Sequence, residues 1–281
     1  MDPRPPRSVI AALLFGAAVL LPSSSLRADT LTLQDGLNSY AGTEDTMINA
    51  GLPIFNWGNY NLLELTNGGG NPMRLLIRFD VSQLAGQFSS INSVTLRLFP
   101  VSVPSGAVNV QLFEPVSGNA DWIEGTGAGA PVTPGTPSWR NKVQITTTTG
   151  TPWVGGEGLG STGFGPLLAQ TQIDNSTTTL APFDLTISNT AAATGLINDF
   201  LGANNPGFLI HLDNETSTGN YDMLFYSREI NSANTSTPNA ETLRPELIID
   251  FTPTPEPATA GLLLLGLGGL VLRRQRAGRA A

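Results

Sequence analysis

The chain has 281 residues, one histidine and no cysteine. Disulfides, thiolate metal sites and cysteine nucleophiles are therefore excluded, and one histidine cannot build a multi-histidine metal centre. Over residues 29–252, seven basic residues stand against twenty acidic ones, a net charge near −13 that repels phosphate backbones and argues against nucleic acid as a partner.

The N-terminus reads as a signal peptide over residues 1–28. Arg4 and Arg7 give a positive start, an apolar run covers residues 9–21, and Pro22 with Ser23, Ser24 and Ser25 ends it. Ala28 is the small residue expected before the cut, which places cleavage between Ala28 and Asp29. The apolar run is too short to span a bilayer comfortably.

Residues 29–252 read as one all-β domain, a β-sandwich with one short helix. Short alternating runs recur between Gly, Pro, Asn and Ser clusters. Val94, Leu96 and Leu98 alternate with polar neighbours, as do Val108, Val110 and Leu112. Further strands are expected at 75–79, 208–212, 223–226 and 247–251. From Thr190 to Leu201 the spacing changes: Leu196, Ile197, Phe200 and Leu201 recur at helical intervals. Ser188 or Asn189 can cap that helix and Gly202 can end it. Residues 125–136 and 146–165 read as long loops, where binding groups often sit.

Three aromatic residues are candidate platforms for a sugar ring. Trp57 and Tyr60 lie in a polar, turn-like stretch, and Trp153 lies in a Gly-rich loop. Calcium needs clustered hard oxygens, and Asp213, Asn214 and Glu215 form one candidate set, with Glu44 and Asp45 as another. The same residues also serve ordinary turns. Asp121 with Glu124 is a carboxylate pair of the kind a glycosidase uses, but twenty acids make chance pairs common. His211 falls in an alternating strand with no nucleophile elbow, and reads as structural.

The C-terminal residues 253–281 read as a sorting tail with a hydrophobic helix. Pro255, Glu256 and Pro257 precede 15 mostly apolar residues at 258–272, followed by Arg273, Arg274, Arg276 and Arg279. A helix that long covers about 22 Å of a hydrocarbon core about 30 Å thick, so it is a marginal permanent anchor. The basic end predicts a cytoplasmic C-terminus and an outward-facing domain.

Two resemblances follow from these residues. The tail closely resembles the PEP-CTERM sorting signal of Gram-negative bacteria. That resemblance implies recognition by an exosortase, cleavage near Pro255-Glu256-Pro257, transient inner-membrane anchoring, and release to the surface or an exopolysaccharide matrix. The middle domain resembles the DNRLRE domain, which is related to carbohydrate-binding modules, and that resemblance implies a jelly-roll-like β-sandwich. The residues that carry this are Arg78, Phe79 and Asp80, then Leu96 and Leu98, Trp122 and Glu124, and Trp139. Further along they are Phe200, Asn205 to Phe208, Arg228 with Glu229, and Arg244 with Pro245. Arg78, Asp80, Glu124, Arg228 and Glu229 are expected to pair at strand ends, with Trp122 and Trp139 capping the core.

The expected function is that of an exported, noncatalytic surface or matrix protein that binds extracellular polysaccharide. The alternatives are a purely structural surface component and a polysaccharide-degrading enzyme.

Overall fold

The computed structural model describes residues 27–175, 181–216, 219 and 221–254. The remainder of the expected signal peptide and the sorting helix lie outside the described residues. The first strands in chain order are β1 (Asp29–Leu33), β2 (Thr43–Asn49), β3 (Phe55–Asn56), β4 (Leu62–Thr66) and β5 (Met73–Phe79). Next come β6 (Phe88–Leu98), β7 (Pro100–Ser102), β8 (Val108–Phe113), β9 (Ala130–Pro131), β10 (Asn141–Gln144) and β11 (Gly150–Pro152). The chain closes with β12 (Leu167–Ile173), β13 (Phe183–Ile187), β14 (Phe208–Leu212), β15 (Asp222–Tyr226) and β16 (Glu246–Pro253). Two short helices, α1 (Gly160–Gly163) and α2 (Thr190–Leu201), interrupt this all-β pattern. No helix among the described residues is long and apolar enough to cross a membrane.

Two antiparallel sheets carry the fold. The smaller runs β1, β16, β6, β13. The larger runs β12, β8, β14, β5, β4, β15, β7, with β2 lying along β5. Alternation explains the smaller sheet. Val94, Leu96 and Leu98 of β6 turn inward beside Leu247 and Ile249 of β16, and beside Phe183 and Leu185 of β13. Outward, Arg97 faces Asp184 on one neighbour at 2.8 Å and Glu246 on the other at 3.5 Å. Across the core, the inward residues of β5, β8 and β14 complete the same cluster, among them Leu75, Ile77, Val110, Leu112 and Ile210.

Strands β5 and β14 do not alternate in sequence because both their faces are covered. The run Leu75, Leu76, Ile77 sends its middle residue to the far side of the sheet. There Leu76 meets Leu209 of β14, Ile48 of β2, Trp122, Trp153 and Leu159 in a second apolar cluster. The segment that carries Trp122, Trp153 and Leu159, including residues 146–165 expected as a long loop, folds over this face as short hairpins and turns. Each fully buried side chain contributes about 1.5–3 kcal/mol of burial, which offsets the ordering entropy of so long an excursion.

Helix α2 has the bounds its spacing predicts. The Asn189 side chain accepts from the N–H groups of Ala191 at 3.0 Å and Ala192 at 3.1 Å. The Gly202 N–H donates to the carbonyls of Asn198 and Asp199. Ala193, Leu196, Ile197 and Phe200 are buried against the core. Asn189→Ala is expected to cost about 1 kcal/mol, read as a lower urea midpoint at constant slope. An unchanged midpoint would show that water replaces the cap without loss.

The folded unit runs from Arg27 to Thr254, two residues past the boundary expected at Thr252. The reason is that β16 continues pairing to Pro253, opposite Phe88 of β6, and the Thr254 N–H donates to the Gln87 carbonyl at 2.9 Å.

Candidate functional site

One end of the larger sheet gathers charge. Glu44 of β2 stands directly opposite Arg78 of β5, and the two side chains pair. The Arg78 guanidinium lies 4.6 Å above the Trp122 ring. It also donates to the carbonyls of Ala120 at 2.9 Å, Trp122 at 3.0 Å and Asn205 at 3.3 Å. The indole N–H of Trp122 donates to the Pro206 carbonyl at 3.0 Å. Gly207 completes this corner with φ +70°, and a Cβ there would stand 2.5 Å from the Ile77 carbonyl. A left-handed conformation under such contact requires glycine.

Beside this corner three carboxylates converge. Asp45 shares its strand parity with Thr43 and Met47, so its side chain points inward and is 1% exposed. Oxygens of Asp45, Glu124 and Glu229 lie within 4.8 Å of one another. The Asp45 N–H donates to Glu124 Oε1 at 2.8 Å, and the Arg228 N–H donates to Asp45 Oδ2 at 2.8 Å. One cation serves the group. The Arg228 guanidinium reaches Glu124 at 2.8 Å, Glu229 at 2.8 Å and Asp35 at 3.4 Å, and donates to the Thr43 carbonyl at 2.7 Å.

One arginine does not neutralise so many buried acids. Burial, reinforced by the charge of Glu229, pushes the Glu124 carboxyl up to about 8. Burial and then repulsion from Glu229 and Glu124 hold Asp45 well above the usual carboxylate range. Burial also raises Glu229, whose Oε2 has no hydrogen-bond partner. Shared protons relieve the repulsion. Among the described residues this is the carboxylate group whose oxygens could hold a hard cation, which would take the place of those protons.

An open cleft of about 440 Å³ adjoins the cluster, lined by Thr43, Glu44, Arg78, Glu124, Asn205 and Arg228. Such walls offer donors and acceptors in fixed directions, suited to a polar, many-hydroxyl ligand.

Trp57 and Tyr60 lie close to the cluster. Their rings meet edge to face with centroids 5.6 Å apart, and both are half-buried against the main core. The segment is tied to Glu124, whose carbonyl accepts from Asn56 Nδ2 at 2.9 Å. At Gly58 a Cβ would stand 2.1 Å from that same carbonyl, so only glycine allows this approach. Ser227 Oγ donates to the Tyr60 carbonyl at 2.7 Å from the other side. Trp153 is placed differently. It is 2% exposed in the second apolar cluster, and its indole N–H donates to the Ser138 carbonyl at 2.8 Å. A ring buried on this covered face has no free surface for a sugar. Its loop folds inward because the outer face of β5 and β14 is itself apolar.

The acids at 213–215 are engaged elsewhere. Both Glu215 oxygens accept from Arg74, at 2.7 Å from its Nε, so a cation there competes with a guanidinium. Asp213 accepts from Asn109 Nδ2 at 2.6 Å, and Asn214 is exposed. Arg74 also lies 4.9 Å from the Trp139 ring and 4.8 Å from that of Phe164. His211 completes this second group. It is stacked on Phe113 at 5.0 Å, and its Nδ1–H donates to the Leu212 carbonyl at 2.6 Å. Burial lowers its pKa, so it is neutral near pH 7.

Asp121 and Glu124 face different partners, Lys142 and Arg228. Another acid pair lies at a second cleft of about 560 Å³, where Glu114 and Asp199 share a hydrogen bond. Burial and Asp199 push the Glu114 carboxyl up to about 7.

Sequence comparison fixes the address of the chain. Residues 253–277 match the PEP-CTERM protein-sorting motif. The motif implies export, surface localisation and processing by an exosortase. No curated protein matches the chain. The resemblance of the middle domain to the DNRLRE family has no family match behind it.

Proposed function

We propose that this chain is a noncatalytic surface or exopolysaccharide-matrix protein whose jelly-roll-like β-sandwich binds carbohydrate. The observation that supports the reading is the polar cleft lined by Glu44, Arg78, Glu124 and Arg228, with the half-buried Trp57–Tyr60 pair in a segment tied to the Glu124 backbone. Asn56 and Gly58 hold that segment against Glu124, and Glu124 and Arg228 line the cleft. An aromatic face beside fixed donors and acceptors is what a pyranose needs: an apolar surface for its C–H face and partners for its hydroxyls. The likeness to DNRLRE domains and their carbohydrate-binding relatives points the same way. Calcium is an optional ligand of the acid cluster. Before processing, the apolar C-terminal segment associates transiently with the inner membrane, and exosortase and the export machinery are the partners at that stage.

The chemistry favours binding over catalysis. The lone histidine is buried, and Asp121 and Glu124 face different partners, Lys142 and Arg228. Pull-down on neutral and acidic polysaccharides, with and without calcium, tests the reading. Trp57→Ala is expected to weaken binding by about tenfold or more while the far-ultraviolet dichroism is unchanged. A domain that binds no polysaccharide under either condition overturns it. The burial of Trp153 favours the second reading, a purely structural matrix component.

A further inference from the structure

The side-chain donors of the charged cleft are already committed to the protein. Both terminal nitrogens of Arg78 donate twice: Nη1 to the carbonyls of Ala120 and Asn205, Nη2 to Glu44 and the Trp122 carbonyl. Every nitrogen of the Arg228 guanidinium is engaged as well. Its Nε donates to Glu229, its Nη1 to Asp35 and the Thr43 carbonyl, and its Nη2 to Glu124. Asn205 is spent too: its Nδ2 donates to the Phe79 carbonyl at 2.8 Å and its Oδ1 accepts from the Gly207 N–H at 2.9 Å. Thr43, the remaining hydroxyl of the lining, is 1% exposed.

The acceptors are not used up in this way. Glu44 meets one cation, Arg78, and its side chain is 37% exposed. Asp80 is exposed and gives one oxygen, at 2.8 Å, to the Ser82 N–H. Both carboxylates line the cleft. An ionised carboxylate accepts hydrogen bonds and cannot donate them. A uronate, sulfate or phosphate on a sugar needs free guanidinium N–H groups, best offered as a two-pronged pair, and these arginines have theirs turned to the protein. Such an anion would also stand beside Glu44 and Asp80 in a domain whose charge over residues 29–252 is near −13.

We infer that the cleft holds its sugar by accepting hydrogen bonds, and so selects polysaccharides that present hydroxyl or ammonium groups and rejects those that carry anions. This rests on the carbohydrate reading above and names the class of glycan within it. The selectivity is built by exclusion as much as by attraction: the paired arginines withhold their donors, and the open carboxylates repel a like charge.

The test titrates the purified full chain in detergent, with a chelator present, against an uncharged glucan, a partly deacetylated hexosamine polymer and polygalacturonate. Salt at about 1 M shortens the Debye length to about 3 Å, which removes the general field of the domain and leaves the contacts of the cleft. The glucan or the hexosamine polymer is expected to bind at least about tenfold more tightly than polygalacturonate, and the ratio between those two tells whether hydroxyls suffice or ammonium groups add to them. Polygalacturonate bound equally or more tightly overturns the inference and leaves the carbohydrate reading standing. Binding to none of the three overturns both. Glu44→Ala releases an N–H of Arg78 into the cleft and is expected to strengthen polygalacturonate binding about tenfold. Asp80→Asn keeps the acceptor for Ser82 and removes a charge, so it is expected to narrow the preference, and it decides the matter if the Glu44 variant does not fold. A preference that no folded variant changes overturns the inference, because the sugar is then read elsewhere.

Discussion

Replacing Arg228 with methionine is expected to cost the domain about 3–5 kcal/mol near pH 8.5 and distinctly less near pH 5.5. Methionine keeps the length of the side chain and removes its charge. Asp45, Glu124, Glu229 and Asp35 are then left around a site without its cation. Folded Glu124 holds its proton up to about 8, against an ordinary value of 4.5. Between those limits the folded state keeps a proton that the unfolded chain has released. Stability must therefore fall as pH rises through that window. The natural protein is expected to have this slope already. Without the guanidinium, Glu124 and Glu229 rise further, and the window extends to higher pH. Near pH 5.5 Glu124 is still protonated in the folded state, and loss of the cation matters less. Urea titrations of both proteins at the two pH values measure the difference. A loss of equal size at both would mean that Arg228 acts through its bond to the Thr43 carbonyl and not through charge. Glu124→Gln in the natural background is expected to flatten the slope, because it removes the titrating group.

The second large effect is expected at Trp122. Trp122→Ala should cost about 3–5 kcal/mol. The ring is fully buried, fills the second apolar cluster with Leu76 and Leu209, and supports the Arg78 guanidinium. Its removal leaves a cavity and an unpaired Pro206 carbonyl, and frees Arg78 from the orientation in which it meets Glu44 and three carbonyls. Trp122→Phe restores most of the volume but not the hydrogen bond, and is expected to lose about half as much. Denaturation midpoints read both. If the alanine variant lost under 1 kcal/mol, the layer formed by residues 114–166 would be an ornament on a fold that stands without it.

The same layer shows where the residues were legible and where they were not. The six alternating or apolar runs expected as strands all fall within strands. The helix over Thr190–Leu201 was readable because Asn189 and Gly202 bracket a clean helical spacing. Strands β2, β4 and β12 were not. Thr43–Asn49 mixes acids and threonines because its inward face ends in the carboxylate cluster, and Leu167–Ile173 lies at an exposed sheet edge. Trp122 was expected to cap the core, and it does so on the outer face of the larger sheet. Trp153 looked available because its neighbours are glycines. What buries it is an apolar face on strands far away in the chain.

The candidate site divides along similar lines. Of Arg78, Asp80, Glu124, Arg228 and Glu229, expected to pair at strand ends, four form ion pairs, while Asp80 accepts from the Ser82 N–H. Asp45 entered the reading only beside Glu44, its neighbour in sequence. Strand parity separates the two: Glu44 goes outward to Arg78, while Asp45 goes inward to Glu124, 79 residues away, and to the Arg228 backbone, 183 residues away.

By itself, the sequence determined the destination of this protein and the period of its strands, because a sorting motif and a two-residue alternation are local patterns. The tertiary structure alone decided which aromatic rings face solvent, which acids crowd together, and that β16 carries Pro253, the first residue of the matched sorting segment, into the sheet. Those features depend on long-range pairing, and no stretch of neighbouring residues encodes which distant strand will lie beside it.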